Sequence, residues 1–151
     1  MTLRPSPTTA LWLGVVGSAL LAVGSFGAGA TRNRGGMLDY LGLEFLAYGH
    51  ARGLLNIALT VGLLLLVAGW VAAGRYVVAA RRESSVRDRL SYAESALWSA
   101  TAPLLLAAPL MSRDVYSYLM QGAMIRDGFD PYSEGAAVNP GPYLLEVSHD
   151  W

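Results

Sequence analysis

Long stretches without a charged residue decide what this chain can fold into. The first stretch covers residues 11–30 and the second covers 53–74, so each matches the roughly 20 residues that a helix needs to cross a bilayer. A third stretch, residues 95–111, lies at the short end of that range. Only 15% of the residues are charged, against roughly 25% in an average soluble domain. The sequence therefore predicts an all-α, polytopic integral membrane protein with three transmembrane helices.

The first and third predicted spans each leave an alternative open. Ala28-Gly29-Ala30 resembles a signal-peptidase site, but the apolar run before it exceeds the usual 7–15 residues, which favours an uncleaved anchor. The third span contains Pro103 and Pro109, and its alternative is a re-entrant or interfacial helix. The pattern from Ser91 to Glu94 is typical of a capping box and predicts that the third helix starts there.

Charge and composition exclude several classes of function. The 11 basic and 11 acidic residues balance, so the nucleic-acid-binding class is not indicated. The chain has no cysteine, which excludes disulfides, cysteine-ligated metals and thiol catalysis. His50 and His149 lie in separate loops without ligand spacing, and we predict no metal site on them. Four glycines in the first span predict close helix contacts: Gly14, Gly17, Gly24 and Gly27.

The arginines predict the orientation. Five arginines separate the second and third spans, whereas the three in the preceding loop are balanced by Asp39 and Glu44. Because arginines near span ends favour the cytoplasmic side, the five-arginine loop is predicted to be cytoplasmic. Since the chain changes side at each span of the plasma membrane, the N-terminus is then cytoplasmic as well. Residues 1–111 then hold the spans, and residues 112–151 form an extracytoplasmic part. We interpret the cluster as a topology determinant that also attracts anionic lipid; it comprises Arg75, Arg81, Arg82, Arg87 and Arg89.

The segment after the third span predicts a short interfacial helix. Ser112 is a candidate N-cap, and Gly128 is a candidate C-terminal residue before the helix-stopping pair Asp130-Pro131. The helix is therefore expected over about Arg113 to Asp127. Helical spacing places four side chains along one stripe: Asp114, Tyr118, Gln121 and Ile125. Residues 133–143 have the composition of a loop.

A resemblance enters at Pro109-Leu110-Met111-Ser112-Arg113-Asp114-Val115-Tyr116-Ser117-Tyr118, followed by Gln121-Gly122 and Gly128-Phe129-Asp130-Pro131-Tyr132. These residues resemble a signature of the GT-C superfamily of membrane glycosyltransferases. They are most similar to the actinobacterial polyprenol-phosphomannose-dependent α-1,6-mannosyltransferases. The resemblance is specific over residues 109–132 and general over residues 1–108. It implies a GT-C-like fold of about a dozen spans, of which this chain is the beginning, and a protein that continues past Trp151.

The resemblance also implies a reaction and its residues. Asp114 is expected to act as the base in an inverting transfer of mannose from polyprenyl-phosphate mannose to a lipid-linked mannan acceptor. Arg113 and Arg126 are candidates for pairing the phosphate, because guanidinium binds phosphate through two hydrogen bonds. The remaining candidates for contacting sugar or polyprenyl chain are Tyr116, Tyr118, Gln121 and Tyr132. The expected partners are membrane lipids and the acceptor glycan, and the oligomeric state is left open.

Each of these residues also has a structural explanation that needs no catalytic or binding role. Asp114 also suits the first turn of a helix electrostatically, the arginines suit an interface, and the tyrosines suit an aromatic belt. Asp130 is interpreted as a turn residue. Asp39 and Glu44 are weak candidates for a divalent cation.

Three other functions remain as alternatives. One is another GT-C enzyme, such as an arabinosyltransferase, and another is a non-catalytic scaffold or truncated subunit. A transporter fragment is disfavoured because no ionisable residue lies near the middle of a span.

Overall fold

The computed structural model describes residues 6–30, 37–141 and 143–147. Within these ranges there is no β-strand, so the all-α prediction is confirmed. The α-helices are α1 (Pro7–Ala28), α2 (Met37–Tyr40), α3 (Gly49–Ala79), α4 (Val86–Thr101) and α5 (Asp114–Asp127). Short 3₁₀ turns occur at Glu44–Ala47, Ala80–Arg82, Ala102–Leu106 and Ala136–Val138. Arg32 and Arg34 of the predicted outer loop lie outside the described residues, as do His149 and Trp151.

Among the described residues, two helices are long and apolar enough to cross a membrane. They are α1, with 22 residues, and α3 with its 3₁₀ extension, 34 residues over Gly49–Arg82. They correspond to the predicted spans 11–30 and 53–74, although α3 extends past its predicted bounds at both ends. Within the most apolar 18-residue segment of each helix, 50% of the segment is buried in α1 and 17% in α3. Most of the apolar surface of α3 therefore remains uncovered by this chain.

The third predicted span differs from the structure. The helix starts at Val86 rather than near Ser91, because Ser85 caps it: the Ser85 hydroxyl accepts from the Asp88 amide at 3.1 Å and donates to the Asp88 carboxylate at 2.7 Å. The predicted start missed this capping pair, which lies six residues upstream of Ser91–Glu94. The bounds 95–111 are also wrong for a continuous helix, because α4 ends at Thr101 and the chain tightens into a 3₁₀ turn.

Proline explains the early end of α4. Pro103 has no amide hydrogen to donate, and its ring would clash with the carbonyl four residues earlier in an α-helix. The chain from Ala107 to Arg113 is irregular. The count of three spans is therefore not confirmed, and the alternative of a re-entrant or interfacial segment stays open.

The described chain divides into two compact units. The first comprises residues up to Gly24 and from Ile57 to Ala107, that is, most of α1, most of α3 and α4. Here α1 and α3 approach closely where Gly17 faces Gly62. A Cβ atom on Gly17 would lie 2.6 Å from the backbone nitrogen of Leu66, so no larger residue fits without a backbone shift. The predicted close contact of the first span is thus observed at this glycine.

The second unit comprises Ser25–Asn56 and the chain from Ala108 onwards. Its core lies between α5 and the loop that follows α5. Buried Met120 and Met124 of α5 pack with Ala136 and Val147. Three partly buried residues complete the cluster: Phe129, Tyr143 and Leu144. This core gives α5 one buried side and leaves its other side exposed.

Candidate functional site

Two backbone anchors fix the chain just before α5. The hydroxyl of Ser25 accepts a hydrogen bond from the Ala108 amide at 2.8 Å, and the Ala30 amide donates to the Pro109 carbonyl at 2.7 Å. Gly29 permits this approach, since a Cβ atom there would lie 2.6 Å from the Pro109 carbonyl oxygen. The end of α1 thus holds the entry to the segment that resembles the glycosyltransferase signature.

Both ends of α5 agree with the sequence to within one residue. The helix begins at Asp114, so its N-cap is Arg113, without a side-chain cap hydrogen bond, and the prediction of Ser112 as N-cap is wrong by one residue. The Ser112 hydroxyl accepts from the Asp114 amide at 3.1 Å. At the other end Gly128 has a φ of +90°, and the Phe129 amide donates to the Met124 carbonyl at 2.9 Å. This left-handed glycine with a bond back into the last turn is the expected helix ending, so the C-terminal prediction is confirmed.

The predicted stripe lies on the exposed side of α5. Asp114, Tyr118 and Ile125 are exposed, with 69% of the Tyr118 surface accessible, and Gln121 is half-buried. The buried side consists of other residues: Tyr116, Ser117, Met120 and Met124. A carboxylate, a phenol and an amide therefore line up over about two helical turns, at the surface rather than in the core.

The candidate phosphate residues differ in their surroundings. Arg113 is half-buried beside Asp114 at the start of the helix. Arg126 is exposed, and its guanidinium forms a two-point pair with Asp127: Nε to Oδ1 at 2.8 Å and Nη2 to Oδ2 at 2.9 Å. Since the Asp127 carboxylate already accepts from both of these nitrogen atoms, a phosphate that used them would have to displace the carboxylate. The role predicted for Arg126 is untested and stays a prediction.

Asp127 also accepts a hydrogen bond from the Asn139 amide group at 3.0 Å, which connects α5 to the following loop. The hydrogen bond from Arg126, and after it the one from Asn139, lowers the pKa of Asp127 to about 2. The hydrogen bond to Asp127 in turn raises the pKa of Arg126. This cluster holds residues 128–139 against the end of α5.

Asp130 builds the turn that presents Tyr132. Its carboxylate accepts from the Tyr132 amide at 3.0 Å and from the Ser133 hydroxyl at 2.6 Å. These bonds, the hydroxyl first, lower the pKa of Asp130. The interpretation of Asp130 as a turn residue is confirmed. The Tyr132 side chain is 91% exposed and has room to contact a ligand.

Tyr116 differs from the other two candidate tyrosines. It is only 5% exposed, so its ring is part of the core and offers little surface to a ligand, and its predicted contact with sugar or polyprenyl chain stays a prediction. Burial, and secondarily the negative charge of Glu146, raises the pKa of Tyr116. Glu146 itself is fully buried, a feature that the sequence did not predict. The apolar residues on both sides of Glu146 were the available signal.

In the described ranges no group of three His, Asp or Glu side chains is placed to hold a metal ion. His50 is exposed at the start of α3. Asp39 lies in α2 and Glu44 in the following 3₁₀ turn, and the divalent cation remains an untested expectation.

Comparison with known proteins decides the family. A family model described as alpha-(1->6)-mannopyranosyltransferase, N-terminal domain, matches residues 11–151. The chain belongs to this family. The resemblance carried by residues 109–132 is thereby confirmed, as is the broader likeness of the apolar helices to the same enzymes.

Curated α-(1→6)-mannopyranosyltransferases are similar along nearly the whole chain. Enzyme A of Corynebacterium glutamicum is 60% identical over 134 residues, which is 87% of this chain and 27% of that protein. Enzyme A of Mycobacterium tuberculosis is 39% identical over 140 residues, or 92% of this chain and 26% of that protein. Enzyme B of C. glutamicum is 31% identical over 134 residues. The chain thus spans about a quarter of the length of its relatives. No solved structure matches it.

Proposed function

We propose that this chain forms the N-terminal part of a membrane-embedded α-(1→6)-mannosyltransferase. The enzyme would move mannose from polyprenyl-phosphate mannose to a lipid-linked mannan acceptor. The names of its relatives support mannose over arabinose as the sugar. The observation that carries the site assignment is the exposed carboxylate of Asp114, in the first turn of α5 and on one stripe with Tyr118 and Gln121.

The proposed reaction is a direct displacement at the anomeric carbon. Asp114 takes the proton of an acceptor hydroxyl while that oxygen bonds to the anomeric carbon of the donor. The bond from this carbon to the phosphate oxygen breaks, and its electron pair leaves with polyprenyl phosphate. The anomeric centre inverts, so a β-linked donor yields an α-mannoside. One carboxylate suffices because the leaving phosphate is a stable anion that needs no acid.

Neighbouring residues are assigned by their chemistry. Arg113 lies next to Asp114 and is the better placed of the two arginines to pair the phosphate, because Arg126 is held by Asp127. Tyr118 and Gln121 offer a ring, a hydroxyl and an amide along the same stripe. Tyr132 presents a nearly free ring from the turn after α5. These three are proposed to bind the sugars.

The experiment replaces Asp114 inside an active enzyme. A chimera joins this chain to the remaining three quarters of C. glutamicum enzyme A. Asp114→Asn is expected to lower kcat by about 10²–10⁴-fold with normal membrane insertion, the range for losing a general base. Glu94→Gln is the control, because it removes an exposed carboxylate from α4, outside the proposed site, and should retain most activity. Unchanged transfer by Asp114→Asn would remove the base assignment and favour a scaffold role.

The proposed location of α5 is extracytoplasmic, and it requires residues 95–111 to cross the membrane. Seven α-helical residues, a five-residue 3₁₀ turn and five irregular residues reach at most about 38 Å in contour, enough for a ~30 Å core. The arginine cluster then faces the cytoplasm.

Since the chain lacks cysteine, single cysteines test this topology directly. Ala137→Cys should react with a membrane-impermeant maleimide in intact cells, and Ser84→Cys only after permeabilisation. Labelling of both from the same side would show that residues 95–111 do not cross.

A further inference from the structure

Glu146 is a buried carboxylate that the proposed reaction does not use. None of its surface is accessible to solvent, and its neighbour Val147 is 7% exposed. The turn that carries both residues is closed by the Tyr143 carbonyl, which accepts from the Glu146 amide at 2.9 Å and from the Val147 amide at 3.1 Å. The residues of this chain alone bury Glu146, so its burial needs no further segment of a longer enzyme.

Glu146 lies near the beginning of α5, on the buried side of the helix. Val147 packs with Met120 and Met124 on this side. Tyr116 lies one helical turn before Met120 and is 5% exposed, and the negative charge of Glu146 acts on its phenol. The buried side of α5 therefore has two parts, a polar pair of Glu146 with Tyr116 and an apolar contact of Val147 with the two methionines.

The two parts constrain the helix differently. Methionine side chains are flexible and fill irregular space, so the apolar contact accepts several arrangements of the helix. A buried carboxylate is costly unless its charge and hydrogen bonds are satisfied, so the polar pair accepts few arrangements. We therefore expect the polar pair, rather than the apolar contact, to fix the rotation of α5 about its axis.

The rotation of α5 decides where the exposed stripe points. Asp114 and Tyr118 are exposed on the same helix that buries Tyr116. A rotation of about 20° would move a side-chain end that lies about 5–6 Å from the helix axis by about 2 Å. A misplacement of about 1 Å can already lower the rate of a reaction by about 10²-fold.

We propose that Glu146 is a positioning residue for mannosyl transfer, which acts through Tyr116 to fix the rotation of α5 and thereby the direction of the Asp114 carboxylate. Glu146 touches no substrate and moves no proton in this role. The proposal rests on the proposed function for the part that Asp114 plays, whereas the rotation of the helix can be measured without sugar transfer.

Three variants of the chimera separate the polar pair from the apolar contact. Glu146→Met keeps an unbranched side chain but removes the charge and the polar atoms, and it should lower kcat by about 10–10²-fold while KM changes by less than about twofold. Glu146→Gln keeps the hydrogen-bonding atoms and should retain kcat within about threefold. Val147→Ala, the matched control at the next position, should lower the melting temperature but leave kcat within about twofold.

Cysteine labelling measures the rotation of α5 independently of transfer, in the chimera with any cysteine of the C. glutamicum part changed to serine. Ser117→Cys places a thiol at a 9% exposed position beside Tyr116, and Leu119→Cys places one at a 45% exposed position. A maleimide should react with the Ser117→Cys thiol roughly tenfold faster in the Glu146→Met background than in the parent or in Val147→Ala. The Leu119→Cys thiol should react at a similar rate in all three backgrounds.

The outcomes that contradict the proposal are distinct. Equal losses of kcat in Glu146→Met and Val147→Ala would show a general softening of the core and no positioning role. Parent-like labelling of Ser117→Cys in Glu146→Met would show that Glu146 does not fix the rotation of α5. If Asp114→Asn retained transfer, the base assignment would fail, and faster labelling in Glu146→Met would still support Glu146 as the residue that fixes the helix.

Discussion

The Ser25 hydroxyl accepts a hydrogen bond from the Ala108 amide, 83 residues later in the chain, at a distance of 2.8 Å. Ser25 is completely buried in the last turns of α1. A neighbouring bond from the Ala30 amide to the Pro109 carbonyl fixes the same segment at 2.7 Å. The residues that lead into Asp114 therefore take their path from the end of α1. A change in α1 can alter the candidate site without touching it.

Ser25→Ala should loosen this connection. The substitution leaves the half-buried Ala108 amide without its acceptor. A fully buried donor in that state costs about 1–3 kcal/mol, so we expect a loss of about 1 kcal/mol here. Thermal unfolding in detergent should show the loss, and hydrogen exchange at the Ala108 amide should become faster. Ser95→Ala, which removes an exposed hydroxyl on α4, is the control and should change stability by less than about 0.5 kcal/mol. Unaltered exchange at Ala108 would mean that this bond does not hold the segment.

The sequence predicted features set by neighbouring residues better than features set by tertiary contacts. The C-terminal end of α5 follows from Gly128, because a left-handed cap acts within a few residues of itself. The predicted N-cap, Ser112, is one residue too early. The hydrophobic length of α1 and α3 follows equally directly. The start of α4 did not follow from the sequence, because Ser85 and Ser91 both precede an acidic residue at the spacing of a capping pair.

Burial in the second unit could not be read from the sequence. Tyr116 and Tyr118 are two residues apart in one motif, yet one is core and the other is surface. The loop after α5 contributes to this, because its Ala136 and Val147 pack on the buried side of the helix, on which Tyr116 also lies. Likewise, the types of Asn139 and Asp127 alone do not predict the hydrogen bond between them. The exposed stripe was predictable because helical spacing alone defines it.

Gly17→Ala should weaken the contact between α1 and α3. The added methyl group would lie 2.6 Å from the Leu66 nitrogen and 2.9 Å from the Gly62 carbonyl oxygen, and backbone atoms cannot rotate away. We expect a loss of about 1–3 kcal/mol, typical of overpacking, measured by thermal unfolding in detergent micelles. Gly53→Ala serves as the control, since its Cβ meets no atom within 4 Å and the variant should be slightly stabilised. Equal effects of the two variants would contradict the close contact.

The pKa of Asp127 should depend on Arg126. Carbon-13 NMR of the carboxyl group should give a midpoint of about 2, and Arg126→Gln should move it towards the ordinary 3.8. Because the folded-state pKa is lowered, the stabilisation is present above about pH 4 and is lost as the pH falls towards 2. The bond to Asn139 should weaken over the same interval. Asp130 is the internal control, since Ser133 and Tyr132 lower its pKa and Arg126→Gln should not affect it.

Two glycines of the α5 region should respond to alanine with opposite signs. Gly128 has a φ of +90°, where a Cβ atom is strained, so Gly128→Ala should cost roughly 1–2 kcal/mol and speed hydrogen exchange at the Phe129 amide. Gly122 lies inside the helix with no atom within 4 Å of its Cβ position, so Gly122→Ala should stabilise by roughly 0.5–1 kcal/mol. Helix content by circular dichroism and exchange rates check both. A stabilising Gly128→Ala would show that α5 does not end in the left-handed turn, and the loop carrying Tyr132 would then leave the helix in another direction.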